Sequence, residues 1–462
     1  MTVTKTSTRT STKTATRTAN SRYAQSAQYL KRAEKVIPLG TQTFSKSKLC
    51  YPQGSSPHFV TRGQGATVWD IDGNQYTDFV SGLLSVNLGY CDPDVDAAVQ
   101  QQLACGVNFS LSHPLEAEVA EMLVDLIPCA DMVRFGKNGS DVTSAAIRLA
   151  RAYTGRDKVA VCGYHGWHDW YIGSTTRDAG VPSGVKSLTE KFEYNNIESL
   201  QQILDNNPAT EGNGIAAIIL EPMNVAWPQD GFLEKVRALA TEHGAVLIFD
   251  EMITGFRFDI GGAQTLFGVT PDLATFGKSL SNGLPLSALV GKQDIMQWVE
   301  TIFFSGTFGG ETLSLAGAKA TLTKLTEQDV LAHTHRLGAM ILEQLPQLIS
   351  KHQLEDYCYS CGHPSWSFLI FKDDVQAKVK GQAKNNRYTA DQLQTYLQQE
   401  QLAKGLLING SHNLCFAHTE QDISYLLQCY DEIFAKLKPL IDSGTLKDEV
   451  IGDFLQPIFK VR

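Results

Sequence analysis

The chain has 462 residues, of which 43% are apolar and 19% charged, with a formal net charge of −9. That length suggests two or three structural units of ordinary globular composition. The acidic balance argues against nucleic acid as a main partner, because phosphate binding needs clustered Lys and Arg, and no window reaches about 18 consecutive apolar residues, so no membrane span is expected.

Residues 2–19 alternate Thr with other small or basic residues, and no acid precedes Glu34. Such a segment cannot bury apolar surface, so 1–21 is expected to be a solvated, disordered tail. It shares basic, hydroxyl-rich character with organelle transit peptides but lacks their apolar face. A helix is expected from Ser21 to Ile37. Two alternating runs from Val68 to Phe79 flank Asp72-Gly73-Asn74, which predicts a hairpin. Leu115, Val119, Met122, Leu123 and Leu126 then recur at helical spacing. Continuous apolar runs follow at 158–162, 215–220, 245–249 and 286–290. They fit strands covered on both faces, as in an α/β fold with a mostly parallel sheet. After about 330 the pattern becomes a smaller α+β unit. The expected division is a tail (1–21), an N-terminal segment packing with the small unit (22–75), a large domain (76–329) and a small domain (330–462).

Nine cysteines without an apolar signal core near the start read as reduced thiols in a cytoplasmic protein. Cys358 and Cys361 have C-x-x-C spacing with His363 nearby, but no second pair completes a zinc site, so no metal is expected.

Chemistry concentrates at four places. Ala245–Phe249 ends in Asp250-Glu251, and acids at the carboxyl end of such a strand can face a ligand. Alone, Asp250 reads equally as a cap of the next turn. Thr275-Phe-Gly-Lys278 places one lysine after a short apolar segment. A lone lysine is usually a surface charge; a nucleophilic one needs desolvation to lower its pKa. Together the two supply what pyridoxal phosphate (PLP) requires, a Schiff-base lysine and an acid for the pyridinium nitrogen. Asn138-Gly139-Ser140 enters a helix running to about Tyr153, a possible phosphate cradle. Gly163-Tyr164-His165-Gly166-Trp167-His168 follows a strand and could stack a ring on a flat cofactor.

These blocks resemble the class III, fold-type I, PLP-dependent aminotransferases, and within them the glutamate-1-semialdehyde aminomutase subgroup. The resemblance rests on Trp69–Asp78, Gly139-Ser140, Tyr164-His165-Gly166, Leu220-Glu221-Pro222, Phe249–Arg257, Gly277-Lys278 and Ser305–Phe308. It implies that Lys278 forms the Schiff base and moves the substrate proton, and that Asp250 pairs with the ring nitrogen. Further along, it implies Tyr164 on one ring face and Met252 near the other, Gly139 and Ser140 at the phosphate, His165 beside the cofactor, and Glu221 near the ring's 3-hydroxyl. Thr307 would reach the phosphate of a neighbouring subunit in a homodimer with shared sites.

The chain departs from the aminomutases at three points. Lys46 stands about where they carry a substrate-binding Arg, and cannot offer its bidentate fork. The stretch 170–196 is shorter than their mobile lid. Asn409–Phe416 replaces a glutamate-bearing segment. These changes favour a two-substrate, ping-pong transaminase using an amine donor and a carbonyl acceptor, with pyridoxamine phosphate as the intermediate cofactor form. An intramolecular 2,1-aminomutase is the alternative, another PLP reaction such as racemisation comes behind it, and a non-catalytic scaffold is remote. Lys46 and Trp167 are candidate substrate contacts. Arg257 could bind a carboxylate or equally hold Glu251 or Glu221.

Overall fold

The structure, a computed structural model, describes residues 21–209, 214–372, 375–376 and 387–455. Apart from Ser21, the tail expected over 1–21 lies outside the described residues. The first α-helix is Ala24–Ala33, shorter than expected. Ile37 precedes Pro38, and a residue before proline is pushed out of the α region; Ile37 is extended, with φ −132° and ψ 120°.

Strands β1 (Val60–Gln64), β2 (Thr67–Asp70) and β3 (Gln75–Asp78) form an antiparallel meander. The expected hairpin joins β2 and β3. Its turn is closed by Asp70 Oδ1, which accepts from Asn74 N at 2.7 Å, with Gly73 at φ 86°. Asp72 at its tip accepts from Gln25 N and Ser26 N at 2.7 and 2.9 Å, supplying orphan donors of the first helix with an acceptor. Leu406–Leu407 adds to β3 as a parallel fourth strand. Residues from both ends of the chain therefore share one sheet.

The central sheet has seven strands: β4 (Met132–Gly136), β5 (Lys158–Cys162), β6 (Thr189–Lys191), β7 (Ile215–Leu220), β8 (Val246–Asp250), β9 (Leu273–Phe276) and β10 (Ser287–Gly291). Their order is β4-β10-β9-β8-β7-β5-β6. Only β10 runs against its neighbours. The apolar runs are continuous because both faces are covered. Along β8, Leu247 and Phe249 enter one apolar layer, and Val246 and Ile248 enter the other. Helix Gly139–Thr154 lies in the second layer, burying Val142, Ala146, Leu149 and Ala150.

The C-terminal unit packs helices Val330–Lys351, Ala390–Ala403 and Glu420–Ser443 around strands Cys358–His363, Trp366–Phe371 and Ser411–Asn413. Cys358 and Cys361, three apart on a strand, point to opposite faces. Their spacing does not bring the two thiols together. No helix among the described residues is long and apolar enough to cross a membrane.

Candidate active site

Parallel strands release their loops at one edge, and that edge collects the chemistry. β5 ends at Cys162 and delivers Tyr164 and His165. β7 ends at Leu220 and delivers Glu221. β8 ends at Asp250 itself, and β9 delivers Lys278 two residues after Phe276. The register pairs Cys162 with Leu220, Leu220 with Phe249, and Asp250 with Thr275, so these ends lie level.

Asp250 is buried and held from several sides. His165 Nδ1 meets its Oδ2 at 2.8 Å, and Met252 N donates to its Oδ1 at 3.2 Å. Thr275 Oγ1 lies 3.4 Å from the same oxygen. The other imidazole nitrogen, Nε2, faces the Cys162 carbonyl at 3.1 Å. The imidazole thus bridges the Cys162 carbonyl and Asp250, and with Met252 N it fixes the orientation of the carboxylate.

Lys278 sits at φ 40°, in the left-handed region that a side chain makes costly, by about 1–3 kcal/mol. Its neighbour Ser279 anchors it by donating to Leu84 O at 3.2 Å and accepting from Arg257 Nη2 at 3.1 Å. Desolvation pushes the Lys278 ammonium below the usual lysine value. Asp250 and Glu221 pull it back up and Arg257 pushes it further down. Some of its surface nevertheless remains open.

Around this centre the structure gathers most of the expected residues. Glu221 is buried and accepts from Tyr164 N at 2.9 Å and Asn224 Nδ2 at 3.1 Å. Burial, then the charge of Asp250, raises its carboxyl above the ordinary range. Tyr164 leaves 45% of its surface exposed, with Tyr171 edge-on at 5.6 Å. Met252 lies between the loops, so that a Cβ on Gly139 would come within 3.0 Å of its sulfur and one on Gly277 within 2.7 Å. Gly139 and Ser140 open a sixteen-residue helix, and the Ser140 hydroxyl accepts from Trp167 N at 3.2 Å. Asp141 ties the loop by accepting from Lys137 N and Asn138 N. Glu251 turns away from this centre and accepts from Thr254, Ala263 N and Gln264 N.

Four expected residues lie elsewhere or act differently. Thr307 belongs to the exposed run Ser305–Phe308 and lines a cavity of about 360 Å³ with Lys137, Ser144, Arg148 and His168. Trp167 is 67% exposed and packs edge-on against His168. Lys46 is exposed and lines a separate cavity of about 330 Å³ with Tyr51, His58, Tyr76 and Leu83. Arg257 is fully buried and pairs with no acid among the described residues. Its guanidinium donates to Leu414 O, Leu84 O and Ser279 Oγ at 2.9–3.1 Å, while Glu251 and Glu221 find other donors. Burial pushes it down to about 10. Arg257→Met would strand the Leu414 carbonyl and take one bond each from Leu84 O and Ser279 Oγ, which still bond each other, so it should cost about 2 kcal/mol and lower the thermal midpoint by a few degrees. A stable variant with a tenfold higher KM for a carboxylate substrate would instead make it a substrate contact.

Sequence reasoning missed Thr275, Ser279 and Asn224. Thr275 carried a usable signal, being a hydroxyl inside a buried strand opposite Asp250.

The donor set fits PLP. A desolvated amine, a fixed carboxylate, an open aromatic face and a helix N-terminus lie along one edge of the sheet. Residues 50–358 match the family described as aminotransferase class-III. The 3-aminobutyryl-CoA aminotransferase of Cloacimonas acidaminovorans is 33% identical over 91% of this chain and 99% of its own length. A glutamate-1-semialdehyde 2,1-aminomutase of Alkaliphilus oremlandii is 34% identical over 90% and 99%. Among solved structures, the FumI protein of Sphingopyxis sp. MTA144, determined in its PLP internal aldimine form, superposes with a TM-score of 0.81. It is 28% identical over 91% of this chain and 98% of its own. On this geometry and these likenesses, the chain belongs to the class III aminotransferases and has the fold-type I architecture of PLP-dependent enzymes.

Proposed function

We propose that this protein is a PLP-dependent aminotransferase that passes an amino group from an amine or amino-acid donor to a carbonyl acceptor through one site used in turn. The observation that carries the reading is Lys278, desolvated and strained, within the field of an Asp250 already locked by His165. Bound PLP would supply an electron sink for the pair released at the substrate's Cα.

The protein's residues divide the remaining work. Lys278 holds the cofactor through its amine, and its lowered pKa lets it take and return a proton at Cα. Asp250 keeps the ring nitrogen protonated, and His165 keeps Asp250 aimed. Tyr164 and Met252 cover the two ring faces, Gly139 and Ser140 bind the phosphate, and Glu221 faces the 3-hydroxyl. Two copies would complete each other's sites, Thr307 reaching the partner's phosphate. The neighbouring Phe303 and Phe308 support this, being large apolar side chains 81% and 59% exposed. Lys46 and Trp167 are the proposed substrate contacts. We place the protein in the cytoplasm and keep the expected division into an N-terminal segment, a large domain (76–329) and a small domain (330–462).

The stretch 170–196 is compact, with two four-residue helices and the edge strand β6. That favours release and exchange of substrates over retention of one. Relatives of both kinds are about equally similar, so the reaction itself must decide. Loaded enzyme mixed with a donor alone should lose its lysine-bound absorbance once per site and regain it when a keto acid is added. The donor panel should begin with 3-aminobutyrate and its thioester, given the likeness above. Steady turnover of a single amino-aldehyde with no second substrate would favour the aminomutase.

A further inference from the structure

Lys278 opens a short turn, Lys278–Ser281, that ends at Asn282, and both Lys278 and Asn282 are left-handed, with φ 40 and 41°. A lysine reaches that region only where its surroundings hold it there. The polar side chains that follow it do so. Ser281 Oγ donates to Ser314 O at 2.7 Å. Asn282 accepts from Leu88 N at 2.9 Å and donates to Gly89 O at 3.0 Å. Ser279, next to the lysine, donates to Leu84 O at 3.2 Å and accepts from Arg257 Nη2 at 3.1 Å. Leu84 closes a turn, Ser81–Leu84, that is itself left-handed throughout, with φ from 47 to 69°.

These anchors differ in where they lead. Those of Ser281 and Asn282 end on residues outside the C-terminal unit. That of Ser279 runs through Arg257 into it. Arg257 Nη1 donates to Leu414 O at 2.9 Å, while the Arg257 carbonyl meets His335 Nε2 at 2.9 Å and accepts from Ser365 Oγ at 3.3 Å. His335 lies on helix Val330–Lys351, Ser365 joins strands Cys358–His363 and Trp366–Phe371, and Leu414 follows strand Ser411–Asn413. The C-terminal unit thus grips Arg257 at its backbone and at its guanidinium, and Arg257 holds the residue beside Lys278.

We propose that Ser279 is a positioning residue for Lys278 and that, through Arg257, it makes the aim of the Lys278 amine depend on how the C-terminal unit is seated. The inference rests on the aminotransferase reading above. When PLP loads, the neutral Lys278 amine adds to the aldehyde carbon, a carbon–nitrogen double bond forms, and the aldehyde oxygen leaves as water with the two amine hydrogens. Such a step depends steeply on geometry, since a misplacement of about 1 Å can cost about a hundredfold. Pyridoxamine phosphate has no aldehyde, so its binding reports the pocket without the aim of the lysine.

The test uses the full-length chain, freed of cofactor and reloaded. In Ser279→Ala, Leu84 O and Arg257 Nη2 keep each other at 3.0 Å and the anchors of Ser281 and Asn282 stay, so the thermal midpoint should hold within a few degrees. On addition of PLP its lysine-bound absorbance should develop at least about tenfold more slowly than in wild type. Its affinity for pyridoxamine phosphate should stay within about twofold. Loss of both in proportion would mark Ser279 as structural only, and an unchanged loading rate would detach it from Lys278; either result overturns the proposal. His335→Leu removes the C-terminal unit's bond to the Arg257 carbonyl and should slow loading in the same way, whereas His335→Gln, which keeps a donor, should restore it. Should Ser279→Ala fail to fold, the His335 pair decides. In Ser279→Ala combined with His335→Leu the two effects should not multiply, because both act through Arg257, and multiplying effects would break the proposed route. Wild-type protein that binds PLP without lysine-bound absorbance would overturn the aminotransferase reading itself. Normal wild-type loading beside unaffected variants would overturn this inference alone.

Discussion

Lys278→Ala should lower turnover by roughly ten-thousandfold, about 5.4 kcal/mol of lost transition-state stabilisation, while the protein stays folded. The amine is the only group at the end of β9 that can both hold a carbonyl carbon and move a proton. Alanine keeps the Cβ, so the left-handed backbone at this position and the Ser279 anchors behind it are untouched. The substitution also removes an amine whose charged form is penalised by burial, so the thermal midpoint should hold or rise. The cofactor should still associate through Asp250, Ser140 and the helix N-terminus, but with free-aldehyde absorbance and faster loss on dialysis. Turnover within tenfold of wild type would remove Lys278 from the reaction and, with it, the reading of the whole edge.

The sequence made the large sheet legible because burial on both faces leaves a plain mark, the unbroken apolar runs of β5, β7 and β8. It did not reveal direction. The run that became β10 looks the same parallel or antiparallel, and only its partners β4 and β9 fix it. β6 is three residues of Thr-Glu-Lys at an edge, with no apolar pattern to announce it. At the site, Asp250 and Lys278 were readable because each follows an apolar strand, and Glu221 through the resemblance alone. Arg257 was not, because its partners are backbone carbonyls, which have no residue signature. The same holds for the left-handed turn at 81–84. Three of its four residues are poor candidates for positive φ, and what forces them there arrives from Asn413, more than three hundred positions away. The 409–416 segment was expected to bear on substrate choice. Its strand ties the molecule together, with His412 bonded to Ser367 and Tyr430 and Asn413 to the turn.

Asp250→Asn should keep the fold and lower kcat by about a hundred- to a thousandfold, roughly 3–4 kcal/mol. Asparagine matches the carboxylate in shape, so its oxygen can still take the bonds of His165 or Met252 N. It cannot hold a proton on the ring nitrogen as a charged partner does. The electrostatic consequences have definite signs. Asp250 raises the Lys278 pKa against desolvation, so removing its charge should move that pKa lower still. The limb of the pH–rate profile set by Lys278 should therefore shift to lower pH. Asp250 also helps raise the Glu221 pKa, which should fall back toward the ordinary carboxyl range. Both shifts follow from one lost negative charge, and an uncharged isostere separates them from any change in packing. The measurement is kcat against pH for both proteins, with the cofactor absorbance followed in parallel. A loss below tenfold, or a Lys278 limb that stays in place or moves upward, would mean that Asp250 is not the acid facing the ring nitrogen. Glu221 would then be the next carboxylate to test, because it is the other buried acid whose charge reaches Lys278.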